Sequence, residues 1–340
     1  MHRSITVTAT GALTAAMAMA AAISMSTAAE FYANRTLTLV VSAGAGGGYG
    51  AVSQIVGRHL PNHIPGKPTM VSQYMGKAGG LVAANYIANA APQDGTFIGL
   101  LRNATAFGQI MKLKGIKYDV TKLHWIGSTG PVINVLAIRK TTKSATLEGM
   151  KKQEAILGGT GRLGTLYTFP TAMHKILGYK SKIVLGYKGT RDVRGALDRK
   201  EVDGFVQPWP NWKRSHFHKQ GLVNYLVQFG YERLPDLPNV PTLIELGRNA
   251  EQIQMLKLIS IPSVLGRNFA TPPSVTKARV ALLRKAFDAT MKDPAFIADM
   301  KKRGRMYDPK TGAELVKLMA EVLATPKALV NQVRGYLGYL

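Results

Sequence analysis

Short apolar runs alternate with helically spaced apolar residues along the chain from Phe31 onward. Residues 37–41 form a mainly apolar run that predicts a buried strand, and residues 52–60 place apolar side chains on one face of a helix. The same order of strand, turn and helix returns at residues 69–89, and a third strand is predicted at residues 96–101. Strands that alternate with helices are typical of α/β layering.

The middle of the chain repeats this order. A strand at residues 155–157 precedes a helix that starts near Thr165, and a strand at residues 182–185 precedes a helix at residues 191–199. The next strand is predicted at residues 203–206. Two similar α/β halves along one chain indicate two lobes rather than one continuous sheet.

The end of the chain is predicted to return to the first half. After a proline-rich stretch at residues 234–241, the apolar residues 256–264 predict another strand. Three helices follow, each introduced by proline after threonine or aspartate, as at Asp293-Pro294. A chain that leaves one half and comes back to it crosses twice between the two lobes.

The predicted fold class is therefore an α/β protein with two lobes and a double crossover. We expect lobe 1 to comprise residues 30–131 and 256–340, and lobe 2 residues 132–255, with crossovers near Pro131 and Leu256. A length of 340 residues fits two domains. Ligands in open α/β sheets bind beyond the carboxyl ends of strands. Two facing lobes therefore predict a cleft that closes by hinge motion.

The loop at residues 44–50, Gly-Ala-Gly-Gly-Gly-Tyr-Gly, carries the clearest chemical signal. Glycine lets backbone N–H groups turn toward a ligand, and the helix that follows adds the positive end of its dipole. This combination suits a carboxylate or a phosphate. The alternative is a glycine-rich turn that serves close packing only.

A dinucleotide cofactor is not expected at this loop. Gly46-x-Gly48-x-x-Ala51 fits the loose dinucleotide fingerprint, which also requires an acidic residue about 20 positions further on to hold the ribose. No Asp or Glu occurs between Phe31 and Gln93. The loop also lacks the Gly-Lys-Ser/Thr ending of a P-loop. We therefore expect anion binding by the backbone and no cofactor.

Further candidates lie where predicted strands end, because those ends face the same cleft. Tyr49 or Trp209 could cover an apolar ligand body, or could be core residues, and the sequence leaves both open. The predicted ligand-binding residues are Ala45, Gly46, Gly47, Gly48, Tyr49, Ala78, Gly79, Asn103, Thr105, Gly161, Thr165, Tyr187, Thr190, Gln207 and Trp209.

Catalytic and metal-binding patterns are missing from the sequence. There is no Gly-x-Ser-x-Gly elbow, no His-Glu-x-x-His pair and no cysteine. His216-x-His218 is a close histidine pair, but Lys213, Arg214 and Lys219 beside it would repel a divalent cation. We therefore expect neither catalytic residues nor a metal site.

The charge balance favours an anionic partner. The chain has 44 Lys and Arg residues against 19 Asp and Glu residues, a formal net charge of +25. Such a field concentrates anionic ligands, but it is also compatible with nucleic acid or anionic lipid. The basic residues form no block with interleaved aromatics, which single-strand binders use. Short clusters such as Lys213-Arg214 and residues 301–303 are interpreted as solvated faces.

Residues 1–29 have the three-part pattern of a secretory signal peptide. Arg3 is followed by the uncharged residues 5–25 and then by the small residues 26–29. The alternative, a membrane anchor, requires roughly 20 strongly apolar residues, whereas this stretch is rich in Ala and Thr. We expect cleavage and export of a mature chain, residues 30–340.

Several motifs resemble those of the Bordetella uptake gene family, the substrate-binding proteins of tripartite tricarboxylate transporters. The strand-to-helix segment at residues 39–49 resembles the family's first loop. The order of the motifs is specific, and together they cover essentially the whole mature chain. The further matches are Gly76-Lys77-Ala78-Gly79-Gly80, Ala91-Pro92-Gln93-Asp94-Gly95-Thr96, Gly186-Tyr187-Lys188-Gly189-Thr190, Lys200-Glu201-Val202-Asp203-Gly204, Leu234-Pro235-Asp236-Leu237-Pro238-Asn239-Val240-Pro241-Thr242 and Asp293-Pro294-Ala295-Phe296.

This resemblance implies a type II periplasmic-binding (Venus flytrap) fold. It implies a periplasmic receptor for carboxylates, in which the two glycine-rich loops of lobe 1 grip a ligand carboxylate, partly through water. It also implies a large and a small membrane subunit as partners. We expect a monomer that does not bind nucleic acid. A ligand sensor for a signalling receptor is the alternative, and an exported enzyme acting on an acidic substrate is a further one.

Two positions depart from the family's pattern. Relatives usually carry Asp after the first glycine loop, where this chain has Gly50, and Asn before the second turn, where residues 73–75 read Gln-Tyr-Met. An Asp at the start of the helix would compete with an anionic ligand for the helix dipole. Residues 204–209 also differ from common relatives. The identity of the ligand therefore cannot be transferred from the family.

Overall fold

The computed structural model describes residues 30–162 and 164–340, which form two α/β lobes, each with its own sheet. The predicted signal segment, residues 1–29, lies outside the described residues. Among the described residues, no helix has the length and apolar character to cross a membrane. The predicted α/β fold class with two lobes is confirmed.

The strands follow the chain through the first lobe, the second lobe and the first lobe again. The first lobe begins with β1 (Thr36–Val41), β2 (Thr69–Tyr74), β3 (Phe97–Leu101) and β4 (His124–Ser128). The second lobe contains β5 (Asn134–Arg139), β6 (Ala155–Gly158), β7 (Ser181–Val184), β8 (Gly204–Pro208) and β9 (Val223–Gln228). The chain then returns to the first sheet with β10 (Asn268–Thr271) and β11 (Lys310–Thr311).

Helices connect these strands and cover both sheets. Those before the return to the first sheet are α1 (Gly48–His59), α2 (Leu81–Asn89), α3 (Thr105–Ile110), α4 (Leu147–Lys152), α5 (Thr165–Lys175), α6 (Thr190–Asp198), α7 (Trp209–Lys213), α8 (His216–Lys219) and α9 (Ala250–Leu265). Those after it are α10 (Lys277–Lys292), α11 (Pro294–Lys302), α12 (Gly312–Leu323) and α13 (Lys327–Leu337).

Both sheets mix parallel and antiparallel pairs. In the first lobe the order is β11-β4-β10-β3-β1-β2, with β1 parallel to β2 and β3 and the returning β10 antiparallel to β3 and β4. In the second lobe the order is β7-β6-β8-β5-β9, with β5 antiparallel to both neighbours. The carboxyl ends of the parallel strands carry the loops that the sequence singled out, because β1 leads into residues 42–47 and β2 into residues 75–80.

Apolar packing divides between the lobes and the region that joins them. One core cluster lies within the first lobe around Phe269 and Phe287, and one within the second around Phe205 and Trp212. The third cluster includes residues from the sheets of both lobes together with α9, among them Leu256. Helix α9 therefore packs into a core that is shared by the two lobes.

The prediction of a strand at residues 256–264 is wrong, because these residues belong to helix α9. Asn249 begins the helix, and its side chain accepts a hydrogen bond from the Gln252 N–H at 2.9 Å. Most residues from Met255 to Leu265 are buried, since the helix is surrounded by other elements. A helix that is apolar all round has no helical periodicity to read and resembles a buried strand. The predicted crossover residue Leu256 lies within this helix.

The outgoing and returning chain segments touch where they pass between the sheets. The Arg267 N–H donates to the Gly130 carbonyl at 3.1 Å, and the Val132 N–H donates to the Ser263 carbonyl at 2.8 Å. Gly266 has φ of +69°, and a Cβ there would overlap the Gly130 carbonyl oxygen. Only glycine permits this approach, because a side chain would need both the unusual backbone conformation and the space.

We expect Gly266→Ala to lower the free energy of unfolding by about 2–6 kcal/mol, through backbone strain and overpacking together. Gly338→Ala is a partial control, because Gly338 has φ of +72° and ψ of +39°, the left-handed helical conformation, and no atom lies within 4 Å of the point that a methyl group would occupy. It measures the cost of that conformation, about 1–2 kcal/mol, whereas Gly266, with ψ of −136°, lies close to a region that is essentially restricted to glycine. Urea unfolding measures both. Equal losses of unfolding free energy in the two variants would show that the overlap with the Gly130 carbonyl oxygen adds nothing to the destabilisation.

Candidate functional site

The first glycine loop leaves the start of helix α1 open. Gly47 precedes the helix in an extended conformation and has no side chain to accept from the first N–H groups. The first turn contains no acidic residue. Residues 44–47 are exposed, so solvent or a ligand can reach these donors. The positive end of the helix dipole is therefore free to bind an anion.

Gly50 explains why the loop can fold back onto the helix. A Cβ at this position would overlap the Ala45 carbonyl oxygen, so the backbone of residue 45 approaches to a distance that any side chain would prevent. An Asp, which the resemblance leads us to expect here, has no room in this loop. Gly50 therefore permits the close approach of residue 45 and also keeps negative charge away from the start of α1.

The second glycine turn packs against the beginning of the first loop. Ala78, Gly79 and Gly80 have positive φ values of 49°, 65° and 94°. A Cβ on Gly80 would lie 2.8 Å from the Ser42 carbonyl oxygen. The parallel pairing of Val41 with Tyr74 in β1 and β2 brings the two turns to one edge of the sheet.

A cavity of about 400 Å³ lies between the first glycine loop and the second lobe. Five arginines from both lobes line it, and no aspartate or glutamate is among its lining residues in the described part of the chain. Its walls are Ala45, Gly46, Gly47, Gly48, Ala51, Gln54, Thr190, Arg191, Arg194, Asn211, Arg214, Arg303 and Arg305.

Arg267 is not a lining residue of this cavity, but it lies beside Gly48, which is, and it is only 4% exposed. Its Nη2 would lie 3.2 Å from a Cβ on Gly48, and the Arg305 Nη1 would lie 3.3 Å from the same point. Both guanidinium groups therefore reach the first residue of α1. Within residues 30–162 and 164–340, neither side chain has an acidic partner.

Several of these guanidinium nitrogens are buried without a hydrogen-bond acceptor in the described chain. They include the Nε and Nη1 atoms of Arg267 and the Nε atoms of Arg305, Arg194 and Arg102. A buried charged donor without a partner costs free energy, so such groups are rare in proteins unless a ligand satisfies them. Arg194 and Arg305 line the cavity, and Arg267 lies beside Gly48 in its wall, so this cavity is the candidate site.

Tyr49 is enclosed by two of the cations. The guanidinium carbon of Arg102 lies 5.1 Å from the centre of its ring, and that of Arg267 lies 5.8 Å away. The Tyr49 hydroxyl accepts a hydrogen bond from the Asn103 N–H at 2.9 Å. The ring thus holds two positive charges in place through cation–π attraction, which offsets part of their mutual repulsion.

The second lobe supplies its arginines from α6 and α7. The Arg194 Nη2 donates to Gln207 Oε1 at 3.1 Å, and the buried Gln207 Nε2 has no acceptor among the described residues. Arg191 is exposed at the start of α6. Arg214 reaches across to the first lobe, where its Nη1 donates to the Arg303 carbonyl at 3.0 Å and to the Gly304 carbonyl at 3.2 Å.

The arginines near the cavity repel one another, and their burial removes them from water. Desolvation by burial, followed by repulsion from Arg214 and Arg267, lowers the pKa of Arg305 to about 10. Burial also lowers the pKa of Arg267 and of Arg194. Arginine side chains keep their charge in proteins, so an anion in the cavity would relieve both the desolvation and the repulsion.

The structure brings five of the predicted ligand-binding residues together on this cavity. Asn103 and Tyr49 lie just behind the loop, hydrogen-bonded to each other. Ala78, Gly79 and Thr105 line a separate pocket of about 50 Å³ with Arg102. The five that line the larger cavity are Ala45, Gly46, Gly47, Gly48 and Thr190.

The remaining predicted residues lie in the second lobe and do not line this cavity. Gly161 and Thr165 are half-buried near the start of α5, and Tyr187 packs against the core of the lobe. Gln207 is buried and binds Arg194. Trp209 is a core residue, 4% exposed, whose Nε1 donates to Asp236 Oδ2 at 2.7 Å.

The arginines of the cavity are not among the ligand-binding residues predicted from the sequence. Arg214 and Arg303, interpreted in the sequence as parts of solvated faces, are exposed and also line the cavity. Arg191 and Arg194 are three residues apart on a predicted helix, a spacing that places them on one face. That spacing, directly after the loop at residues 186–190, is the signal in the sequence that points to them.

A larger depression of about 890 Å³ lies on helix α10. It is lined by Lys277, Arg284, Lys285 and Lys292, with Asp288 among them. It is an open surface of one lobe and contains neither a glycine loop nor a residue from the second lobe. No group of three or more potential metal ligands occurs among the described residues. The cavity between the lobes is therefore the better candidate.

Comparisons with known proteins concern the family and the fold of this chain. Residues 62–334 match the model of the tripartite tricarboxylate transporter family receptor. No curated protein matches this sequence. Solved structures of the same fold include a TctC solute-binding protein from Polaromonas, with 18% identity over 88% of this chain and 99% of that chain and a TM-score of 0.65.

Two further solved structures are similar. The periplasmic binding protein BugD has 22% identity over 89% of this chain and 97% of that chain, with a TM-score of 0.65. MatC from Rhodopseudomonas palustris, solved with bound malate, has 19% identity over 87% of this chain and 99% of that chain, with a TM-score of 0.66. Because the family model matches residues 62–334, which are most of the chain, the chain belongs to the receptor family of tripartite tricarboxylate transporters.

Proposed function

We propose that this protein captures a small carboxylate-bearing molecule in the cavity between its lobes and delivers it to a tripartite tricarboxylate-type membrane transporter. The observation that carries the proposal is the buried guanidinium of Arg267, which lies beside the open start of α1 without an acidic partner in the described residues. A ligand carboxylate there would accept hydrogen bonds from the backbone and a charge-assisted one from an arginine.

Ligands of structural neighbours support the same chemistry. MatC was solved with malate and another R. palustris protein with adipate, and both ligands are dicarboxylates. This chain shares their fold at 19% and 18% identity. The proposal for this chain rests on its own cavity, which offers donors for an anion and no acidic side chain among its lining residues in the described chain.

Hinge closure would couple binding to delivery. We propose lobes of residues 30–131 with 256–340 and of residues 132–255, which close around the ligand. The contact of Arg214 with the carbonyls of residues 303 and 304 then holds the lobes together. The closed monomer would be the form that the large and small membrane subunits recognise. Cleavage of a signal peptide at residues 1–29 would place the receptor in the periplasm, and we propose no catalytic step.

We expect Gly47→Asp to abolish carboxylate binding without unfolding the protein. Gly47 is extended at φ −101°, and no atom lies within 4 Å of a Cβ there, so a side chain fits. The new carboxylate would cap the helix and occupy the position of the ligand. In a thermal-shift assay of residues 30–340, a ligand at ~100 times its Kd adds about 2.7 kcal/mol to wild type, and the Asp variant loses this shift.

Gly47→Asn is the control for this variant, because its side chain has the same shape and caps the helix without a charge. We expect it to retain more of the ligand-induced shift than Gly47→Asp. If the two variants bind a dicarboxylate equally well, negative charge at this loop does not compete with the ligand. The helix start would then not be the carboxylate site.

We expect Arg267→Met to stabilise the unliganded protein while it removes ligand binding. Methionine fills similar volume without a buried charge, so the free energy of unfolding should rise by about 1 kcal/mol or more. Arg199→Met, an exposed member of an ion pair with Glu201, should change stability little. Urea unfolding without ligand measures both variants. A less stable Arg267→Met protein would show that Arg267 stabilises the unliganded fold, and a retained ligand-induced thermal shift would contradict the assignment of Arg267 to ligand binding.

A further inference from the structure

The turn that follows β6 lies between two segments that line the cavity. In the second sheet β6 pairs with β7 on one side and with β8 on the other, and all three strands run parallel. The loop after β7 brings Thr190 to the cavity, and the segment after β8 brings Asn211. Parallel strands end at one edge of their sheet, where ligands bind. The β6 turn, residues 159–162, therefore lies at the edge that serves the cavity.

The β6 turn itself offers little that fixes its position. The Gly159 N–H donates to the Val184 carbonyl at 2.8 Å, which holds the beginning of the turn. No atom of the described chain lies within 4 Å of a Cβ on Gly161. Helix α5 follows Gly164 without a side-chain cap from any described residue. A contact from elsewhere in the molecule must therefore decide where the end of the turn lies.

Tyr339 makes this contact from the segment after α13. Its hydroxyl donates to the Arg162 carbonyl at 2.8 Å and lies 3.2 Å from Oγ1 of Thr168 in α5. Because the phenol has one proton, which the carbonyl accepts, the Thr168 hydroxyl donates to the tyrosine oxygen. Burial raises the pKa of Tyr339, so its hydroxyl stays protonated at neutral pH. One side chain thus ties the end of the β6 turn to the helix that follows.

Helix α13 holds Tyr339 in place. The helix packs against α5 and α9, and its buried face belongs to the core cluster shared by the lobes. Gly338 ends it in the left-handed conformation, and the Tyr339 N–H then donates to the Arg334 carbonyl at 2.9 Å. The Arg334 Nη2 donates in turn to the Tyr339 carbonyl at 3.1 Å. The backbone that carries the phenol is therefore anchored to the shared core.

The path of the chain makes Tyr339 a link between the shared core and the cleft. Helix α12 packs against β4 of the first lobe, whereas α13 packs against α5 of the second. The chain thus reaches the second lobe once more after its return to the first sheet. Tyr339 is not among the lining residues of the cavity, so it can affect a ligand only through the β6 turn.

Building on the proposed function, we propose that Tyr339 is a positioning residue for ligand binding. Its hydroxyl holds the β6 turn where the turn receives the far end of a ligand that extends from α1 toward the second lobe. A ligand with one carboxylate at α1 does not depend on this turn. A tyrosine that served stability alone would affect both kinds of ligand equally, so the two roles predict different results.

Tyr339→Phe tests the proposal, because it removes the hydroxyl and keeps the ring. The probes for isothermal titration of residues 30–340 are glutarate and adipate, each compared with the monocarboxylate of the same chain length, pentanoate or hexanoate. We expect the affinity for both dicarboxylates to fall about three- to tenfold, the effect of about one hydrogen bond. The affinity for the monocarboxylates should change by less than about twofold, within the usual range for a contact that is not made.

Tyr336→Phe is the matched control, because Tyr336 lies on the same helix and is 42% exposed. We expect it to bind all four probes as the wild type does. Thr168→Val removes the other hydroxyl of the pair. Combined with Tyr339→Phe, it should weaken dicarboxylate binding no further than Tyr339→Phe alone, because residues that act through one contact are not additive.

Hydrogen exchange of the unliganded protein measures the position of the turn without any ligand. Peptides that cover residues 159–168 should exchange faster in Tyr339→Phe than in the wild type or in Tyr336→Phe, because the turn loses its contact with the anchored tyrosine. Exchange of this segment at the wild-type rate in Tyr339→Phe would show that the hydroxyl does not hold the turn.

The binding results separate this inference from the proposed function. Undiminished dicarboxylate affinity in folded Tyr339→Phe, or an equal loss for mono- and dicarboxylates, would overturn the positioning role and leave the carboxylate receptor intact. If none of the four carboxylates binds the wild-type protein, the proposed function fails, and the role of Tyr339 in ligand binding fails with it.

Discussion

The buried guanidinium of Arg267 beside the open start of helix α1 is the constraint on which the site depends. The guanidinium and the positive end of the helix dipole lie next to each other there, and neither has an acidic partner among the described residues. Such an arrangement costs free energy in the unliganded protein, because a buried charge loses its hydration. An anion that binds between them recovers that cost, so affinity for the ligand is obtained at the expense of stability without it.

The fold creates this arrangement by returning the chain to the first sheet. Strand β10 inserts between β3 and β4, and Arg267 immediately precedes it, at the point where the crossing segments touch through Gly130 and Gly266. The same crossing allows α6 and α7 of the second lobe to face the glycine loop. Tyr49 then separates Arg267 from Arg102. The positive charge of the cavity is thus a product of topology and not of one sequence cluster.

The sequence predicted the parts of this design that are local. The two lobes, the glycine loop and Thr190 follow from periodicity, from turn composition and from the position of strand ends. Helix α9 resembles a strand in the sequence because burial on all sides removes its periodicity. The cluster of arginines could not be predicted as a whole, because residues far apart in the sequence converge only in the folded chain. Only the spacing of Arg191 and Arg194 after the loop at residues 186–190 is a local signal, and it points to two members of the cluster.

A crystal structure of residues 30–340 grown with a tricarboxylate would test the account most directly. The account predicts density for the ligand in the cavity between the lobes. One carboxylate should lie within hydrogen-bond distance, about 2.7–3.2 Å, of the first N–H groups of α1 and of the Arg267 or Arg305 guanidinium. Ligand density on the face of α10, with the cleft holding only solvent and Arg267 still without an acceptor, would contradict it.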